Sequence, residues 1–242
     1  MRRAIVVGVL FGLAAAPGPA RAADRRLSLS VGGNGAFGGP NVALEHGLSA
    51  AGLGDTTPAD CFLFCSGPTA HPVTHGAGLG PGWALGYLVG PLREGRPVLG
   101  VRLLHSTTDF GVTVGFRAPA TFAFLSPSAS TTAVLATATF RGGGRLGVGP
   151  SLSRVRVTDS SGGGEQSLVA TTRAGLVTEA ALTLPAHKRF FVELAAQLRL
   201  LRPARTRAYD VNEGLRGSPL ILPATRVPLT HATLALSFGL RL

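Results

Sequence analysis

The last fifteen residues, Pro228 to Leu242, alternate strictly. Leu234, Leu236, Phe238, Leu240 and Leu242 fall on one side, and His231, Thr233, Ala235, Ser237, Gly239 and Arg241 on the other. Successive side chains of a strand point to opposite faces, so the segment is expected to be a strand with one apolar and one polar face. Its last residue is apolar and no polar tail follows. A soluble sheet seldom leaves such an end bare. The closing strand of a membrane barrel requires it, with lipid on one face and a polar lumen on the other.

The other end of the chain says where such a strand would go. Arg2 and Arg3 form a positive start, Ala4 to Ala16 is uncharged and apolar, Pro17 and Gly18 interrupt it, and Ala20-Arg21-Ala22 fits a small-x-small cleavage site. This pattern predicts a secretory signal peptide over residues 1–22, cut before Ala23. The apolar run falls short of the roughly 18 residues that span a bilayer. No Cys follows it directly, so lipoprotein processing is not indicated. The remainder, 242 − 22 = 220 residues over 23–242, suits one barrel domain.

Past Ala22 no apolar run is long enough for a membrane helix. Only 14% of residues are charged, against about a quarter in soluble domains. Low charge with 34 Gly and no hydrophobic helix suits an outer-membrane barrel. The net charge is +11, from many Arg and one Lys, Lys188. Charge alone would permit nucleic acid. The predicted export and the dispersed Arg residues speak against it, and outer-membrane lipid headgroups or lipopolysaccharide phosphates are the expected partners.

Eight alternating segments can be drawn. They are Arg26 to Phe37, Gly78 to Gly90, a third starting at Pro97, Thr131 to Arg141, Arg145 to Val157, Ser167 to Leu184, Arg189 to Arg202, and the final segment. Residues Ser106 to Ser130 are open, with an extra strand pair as one option. Connections alternate: long at Gly38 to Ala77, short at Pro91 to Arg96, tight at Gly142-Gly-Gly144, Ser/Gly-rich at Thr158 to Gln166, short at Pro185 to Lys188, and long at Pro203 to Val227. Short turns on one side and long loops on the other are the outer-membrane pattern, and an even strand number puts both termini in the periplasm. A secreted β-sandwich also has short alternating strands. Small residues on the polar faces fit a narrow lumen better than a solvated exterior. Trp83, Tyr87, Phe190, Val192, Leu194, Leu236 and Phe238 are expected to face outward to lipid.

Gly82-Trp-Ala-Leu-Gly-Tyr-Leu-Val-Gly90, Arg145-Leu-Gly-Val-Gly-Pro-Ser-Leu-Ser153 and the final strand resemble the small outer-membrane β-barrel proteins of Gram-negative bacteria, of the outer membrane protein A/X-like kind. The resemblance is one of pattern over nearly all of residues 23–242. It implies an all-β, antiparallel up-and-down transmembrane barrel of eight strands, inserted as a monomer by the barrel assembly machinery.

Four constellations could carry chemistry. Cys61 and Cys65 in an exported chain read as one disulfide. His71 and His75 extend them to a metal-like spacing, but with a gap shorter than in zinc fingers. Gly33-Asn-Gly35-Ala-Phe-Gly38, with Asp55 beyond, matches a dinucleotide fingerprint, yet Pro40 and the glycines oppose a helix start there. His105, Ser106 and Asp109 suggest a hydrolase site, although adjacent residues of a strand point to opposite faces. Glu179 and Glu193 share the inward face of the sixth and seventh strands, where carboxylates could do acid–base work or form a plug with arginines.

The reading is therefore a barrel without catalytic residues, metal or cofactor, acting structurally or through its surface. A membrane-embedded hydrolase and a small passive pore are the alternatives. A lumen network of Arg102, Arg173, Glu179, Glu193 and Arg199 is expected to close the barrel. If the hairpin at Pro185 to Lys188 centres on Ala186, Glu179 faces Glu193 and Arg173 faces Arg199. Both pairs are like-charged and unfavourable, so Arg102 would have to reach across to a carboxylate.

Overall fold

The computed structural model describes residues 26–40, 43–44, 47–48, 73–74, 78–89, 96–111, 113–117, 121–160, 166–185, 188–210 and 221–242. Eight long strands dominate: β1 (Arg26–Phe37), β2 (Gly78–Leu88), β3 (Val98–Asp109), β4 (Thr121–Thr139), β5 (Gly144–Asp159), β6 (Gln166–Leu184), β7 (Phe190–Leu201) and β8 (His231–Arg241). Each pairs antiparallel with its sequence neighbours, and β1 pairs with β8. The sheet closes into a barrel and leaves none of the eight strands as an edge, so the sandwich is excluded. Unpaired backbone in lipid would cost several kcal/mol per group, and closure removes it.

The register fixes the barrel's dimensions. Leu27 pairs with Tyr87, Tyr87 with Val101, Val101 with Ala136 and Ala136 with Val148. Val148 pairs with Thr178, Thr178 with Leu198, Leu198 with Ala232 and Ala232 with Phe37. One circuit thus climbs from residue 27 to residue 37 of β1, a stagger of 37 − 27 = 10. Eight strands with such a stagger tilt by about 35–45° and enclose a space that side chains can fill.

Twenty-five large apolar side chains stand exposed among the described residues, and all but Ile221 lie on the barrel strands or their immediate ends. Phe190 is 72% exposed, Phe238 62% and Leu99 68%. Trp83, Val192, Leu194 and Leu236 are exposed with them, while Tyr87 is half covered. In water each would forgo about 1.5–3 kcal/mol of burial, and soluble monomers rarely expose more than a few hundred Å² of contiguous apolar surface. A belt of this extent is a membrane-spanning surface.

The strand ends bring corrections. The fourth strand begins at Thr121, not Thr131, and a short strand (Thr113–Arg117) pairs with its start, which resolves the open stretch as a hairpin above the barrel. The hairpin between β6 and β7 centres on Lys188, not on Ala186: Leu184 pairs with Val192 and Glu179 with Gln197. Pro185 has no N–H to donate to a ladder, so pairing stops at Leu184 and the connection widens. Glu193 therefore lies opposite Thr183, and Arg199 opposite Val177. Because the slip is even, no side chain changes face. At Gly142-Gly-Gly144 the reversal is tight: the Gly143 N–H donates to Phe140 O at 3.0 Å, and Gly143 takes φ 89°, where a side chain would strain.

Candidate functional site

Residues that alternate into the lumen build it in layers. At the end with the short turns, Phe191 fills the interior, and Gly239 opposite is what makes room, since a Cβ there would meet the ring. The Arg241 guanidinium lies 5.0 Å from the centre of that ring.

Above it lies a charged waist. Arg102 of β3 donates to Glu193 of β7 through both terminal nitrogens, at 2.5 and 3.3 Å. Its Nε is 3.7 Å from Glu179 Oε1 on β6. Arg145, at the start of β5, bridges both carboxylates: Nε donates to Glu179 Oε1 at 3.0 Å and Nη1 to Glu193 Oε2 at 2.7 Å. Arg145 Nη2 is 2.9 Å from Glu179 Oε1 but lies off the hydrogen-bond direction, so this contact is Coulombic only. Gln197 donates to Glu179 Oε2 at 2.9 Å. Arg199 donates from Nη2 to Gln197 Oε1 at 2.9 Å and to Ser106 Oγ at 2.7 Å. Charged bidentate bonds in a dry site are among the strongest available to a protein, and breaking one side of such a set strands a buried charge.

The structure thus brings Arg102, Glu179, Glu193 and Arg199 into one cluster. Arg173 is left out: it lies opposite Ser153 of β5, well up β6, with no contact to either carboxylate. Arg145 and Gln197 are the members that sequence reasoning missed. A signal was present. Arg145 shares its face with Gly147, Gly149, Ser151 and Ser153, while Leu146, Val148 and Leu152 point outward. By parity an Arg at that place must enter the lumen.

The next layers carry neutral polar side chains and one further cation, Arg173, whose Nε is buried without a hydrogen-bond partner. Asn34 donates to the carbonyls of Gly80 and Thr107 at 2.8 and 3.0 Å and accepts from Thr108 at 2.9 Å. Thr131 and Ser153 share a bond of 2.8 Å. The His231 ring meets Phe110 edge-on at 5.1 Å. Beyond it an apolar cap closes the loop end, joining Leu125, Val155, Val157 and Leu168 of the strands to Leu44, Leu48, Leu222 and Val227 of the long connections.

The hydrolase constellation does not assemble. His105 faces outward, stacked on Trp83 at 5.8 Å and bonded to Thr132 at 2.9 Å. Ser106 faces inward to Arg199, and Asp109 caps the Gly111 N–H at 3.0 Å. Gly33 to Phe37 is the upper end of β1 and Gly38 leaves it with φ 75°; helical residues follow only beyond Pro40, at 43–44 and 47–48. Asp55, Cys61, Cys65, His71 and His75 lie outside the described residues, as does the predicted signal peptide.

At the loop end the short ribbon of Ala204–Arg205 and Arg226–Val227 sets Arg205 directly opposite Arg226, both exposed. Arg154, Arg156, Arg202 and Arg207 stand exposed at the same end.

No family model and no curated protein matches the chain. Among solved structures it is similar to Ail, the attachment invasion locus protein of Yersinia pestis, at 12% identity and a TM-score of 0.43, over 90% of this chain and 98% of that one. It is also similar to Ail in complex with the heparin analogue sucrose octasulfate, at 13% identity and a TM-score of 0.45, over 90% and 99%. Neisserial surface protein A is similar at 11% identity and a TM-score of 0.35, over 90% and 96%. The barrel itself rests on its own register.

Proposed function

We propose that the protein is an integral outer-membrane barrel, sealed to solutes, that works through its loop end. In this reading both termini are periplasmic, the protein is a monomer inserted by the barrel assembly machinery, and the loop-end arginines hold lipopolysaccharide phosphates. The observation that carries the reading is the exposed Arg205–Arg226 pair. Like charges directly opposite destabilise a ribbon, and neither Arg has an acidic partner among the described residues. An anion between them turns the cost into a binding site, and guanidinium forks match phosphate oxygens. The turn end is basic too, through Arg96, Arg141, Lys188 and Arg189, but among the described residues no ladder pairs two of them.

The test uses the protein refolded in detergent. Lipopolysaccharide binding should weaken at least about tenfold in Arg205→Gln/Arg226→Gln, and as much for wild type when the phosphates are removed enzymatically; a tenfold loss is 1.4 kcal/mol. Equal binding of phosphorylated and dephosphorylated lipopolysaccharide would overturn the assignment of the loop end.

The plug completes the proposal. Arg102, Arg145, Glu179 and Glu193 meet across the barrel axis, which argues against a passive pore. Planar bilayers holding the protein should show no stable conductance.

A further inference from the structure

The waist carries more positive than negative charge. Arg102, Arg145 and Arg199 face two carboxylates, Glu179 and Glu193. Arg102 and Arg145 occupy both, and Arg199 reaches Glu179 only through the amide of Gln197. Arg199 is 1% exposed, so water outside the barrel does not solvate it. Its Nε and Nη1 have no hydrogen-bond partner, and Arg102 Nε has none either, with Glu179 Oε1 3.7 Å away.

Both arginines line one small cavity of about 40 Å³, on the side of the lumen formed by β1, β2 and β8. Ser30, Asn34, Ser106 and Ser237 line it as well. Such a volume admits one halide or about three to four water molecules, since one water needs about 10–15 Å³. It is too small for a sugar or a nucleotide. Glu193 also borders the cavity, but both its oxygens are taken by guanidinium donors. Two arginines with unmatched N–H donors, one of them an uncompensated cation, therefore line a space of halide size. A water can accept two hydrogen bonds but brings two protons that need acceptors, and it brings no charge. A monovalent anion satisfies donors and charge together.

We infer that the lumen holds a buried halide-class anion between Arg199 and Arg102. It is a structural ligand of the folded barrel, and the inference is independent of the loop-end proposal. The probe is chloride or bromide against gluconate at equal ionic strength, with the full barrel refolded in detergent. A ligand bound only by the native state slows unfolding by mass action, about tenfold when it is present at ten times its Kd. Unfolding of wild type in hot SDS should slow saturably with chloride and not with gluconate. Arg199→Gln should lose that dependence. Should Arg199→Gln fail to fold, crystals of wild type grown in bromide should show an anomalous peak beside Arg199. Equal rates in chloride and gluconate, an unaltered chloride effect in Arg199→Gln, or bromide crystals with no such peak would each overturn the site.

Discussion

At the waist, five ionised side chains and one amide close the lumen through charge-assisted bonds shared among β3, β5, β6 and β7. At the loop end the same lumen is closed by aliphatic packing, in which Leu48 and Val227 from the long connections meet Val155 and Val157 of β5. The two closures respond differently to substitution. Every member of the waist is needed, because a partner removed leaves an unpaired charge shielded from bulk water. The cap is a sum of contacts, each lost at the cost of a cavity.

The largest effect is expected at Arg145, the one cation bonded to both carboxylates. Arg145→Leu should destabilise the barrel by about 3–5 kcal/mol, read as loss of resistance to heat in SDS. In the double variant Arg145→Leu/Glu179→Gln the loss should be smaller than in the single one. An additive double variant would mean that the waist is not a coupled unit.

On the outside of the same layer, Leu194→Arg should cost about 2–4 kcal/mol in lipid bilayers, because the side chain enters the lipid at the level of the waist. A neutral result would remove β7 from the membrane-facing wall.

In the cap, Leu48→Ala should cost about 2–3 kcal/mol, felt locally. Proteolysis at the loop end should accelerate while the heat resistance of the barrel stays as in wild type. Should the barrel lose heat resistance as well, cap and waist would be one cooperative core.

The smallest effect concerns Asp109, whose visible role is to cap the Gly111 N–H. Asp109→Ala should shift stability by less than about 0.5 kcal/mol.

The contrast between waist and cap also separates what the sequence discloses from what it hides. Strand faces follow from a period of two, so Arg102, Glu179, Glu193 and Arg199 could be placed in the lumen by counting. Their pairing could not. It depends on the β6–β7 register, and Pro185 ends the ladder earlier than a turn centred on Ala186 would. Arg145 was hidden for a different reason: it begins a strand beside a glycine turn, where an Arg reads as surface. The cap was illegible because Leu44, Leu48, Leu222 and Val227 sit in connections without a period. The start of β4 was hidden likewise. Residues Phe122 to Ser130 do alternate, but Pro127 interrupts the run. Pro127 still accepts from the Phe110 N–H at 3.0 Å.

The most direct test of the central claim is gel migration of the outer-membrane fraction with and without boiling in SDS. A closed barrel locked by its waist should run as a compact, faster band unheated and shift on boiling to the position of the unfolded chain without residues 1–22, below the 24.7 kDa of the full sequence. A single band at one position under both conditions, or recovery only in the soluble fraction, would contradict the account.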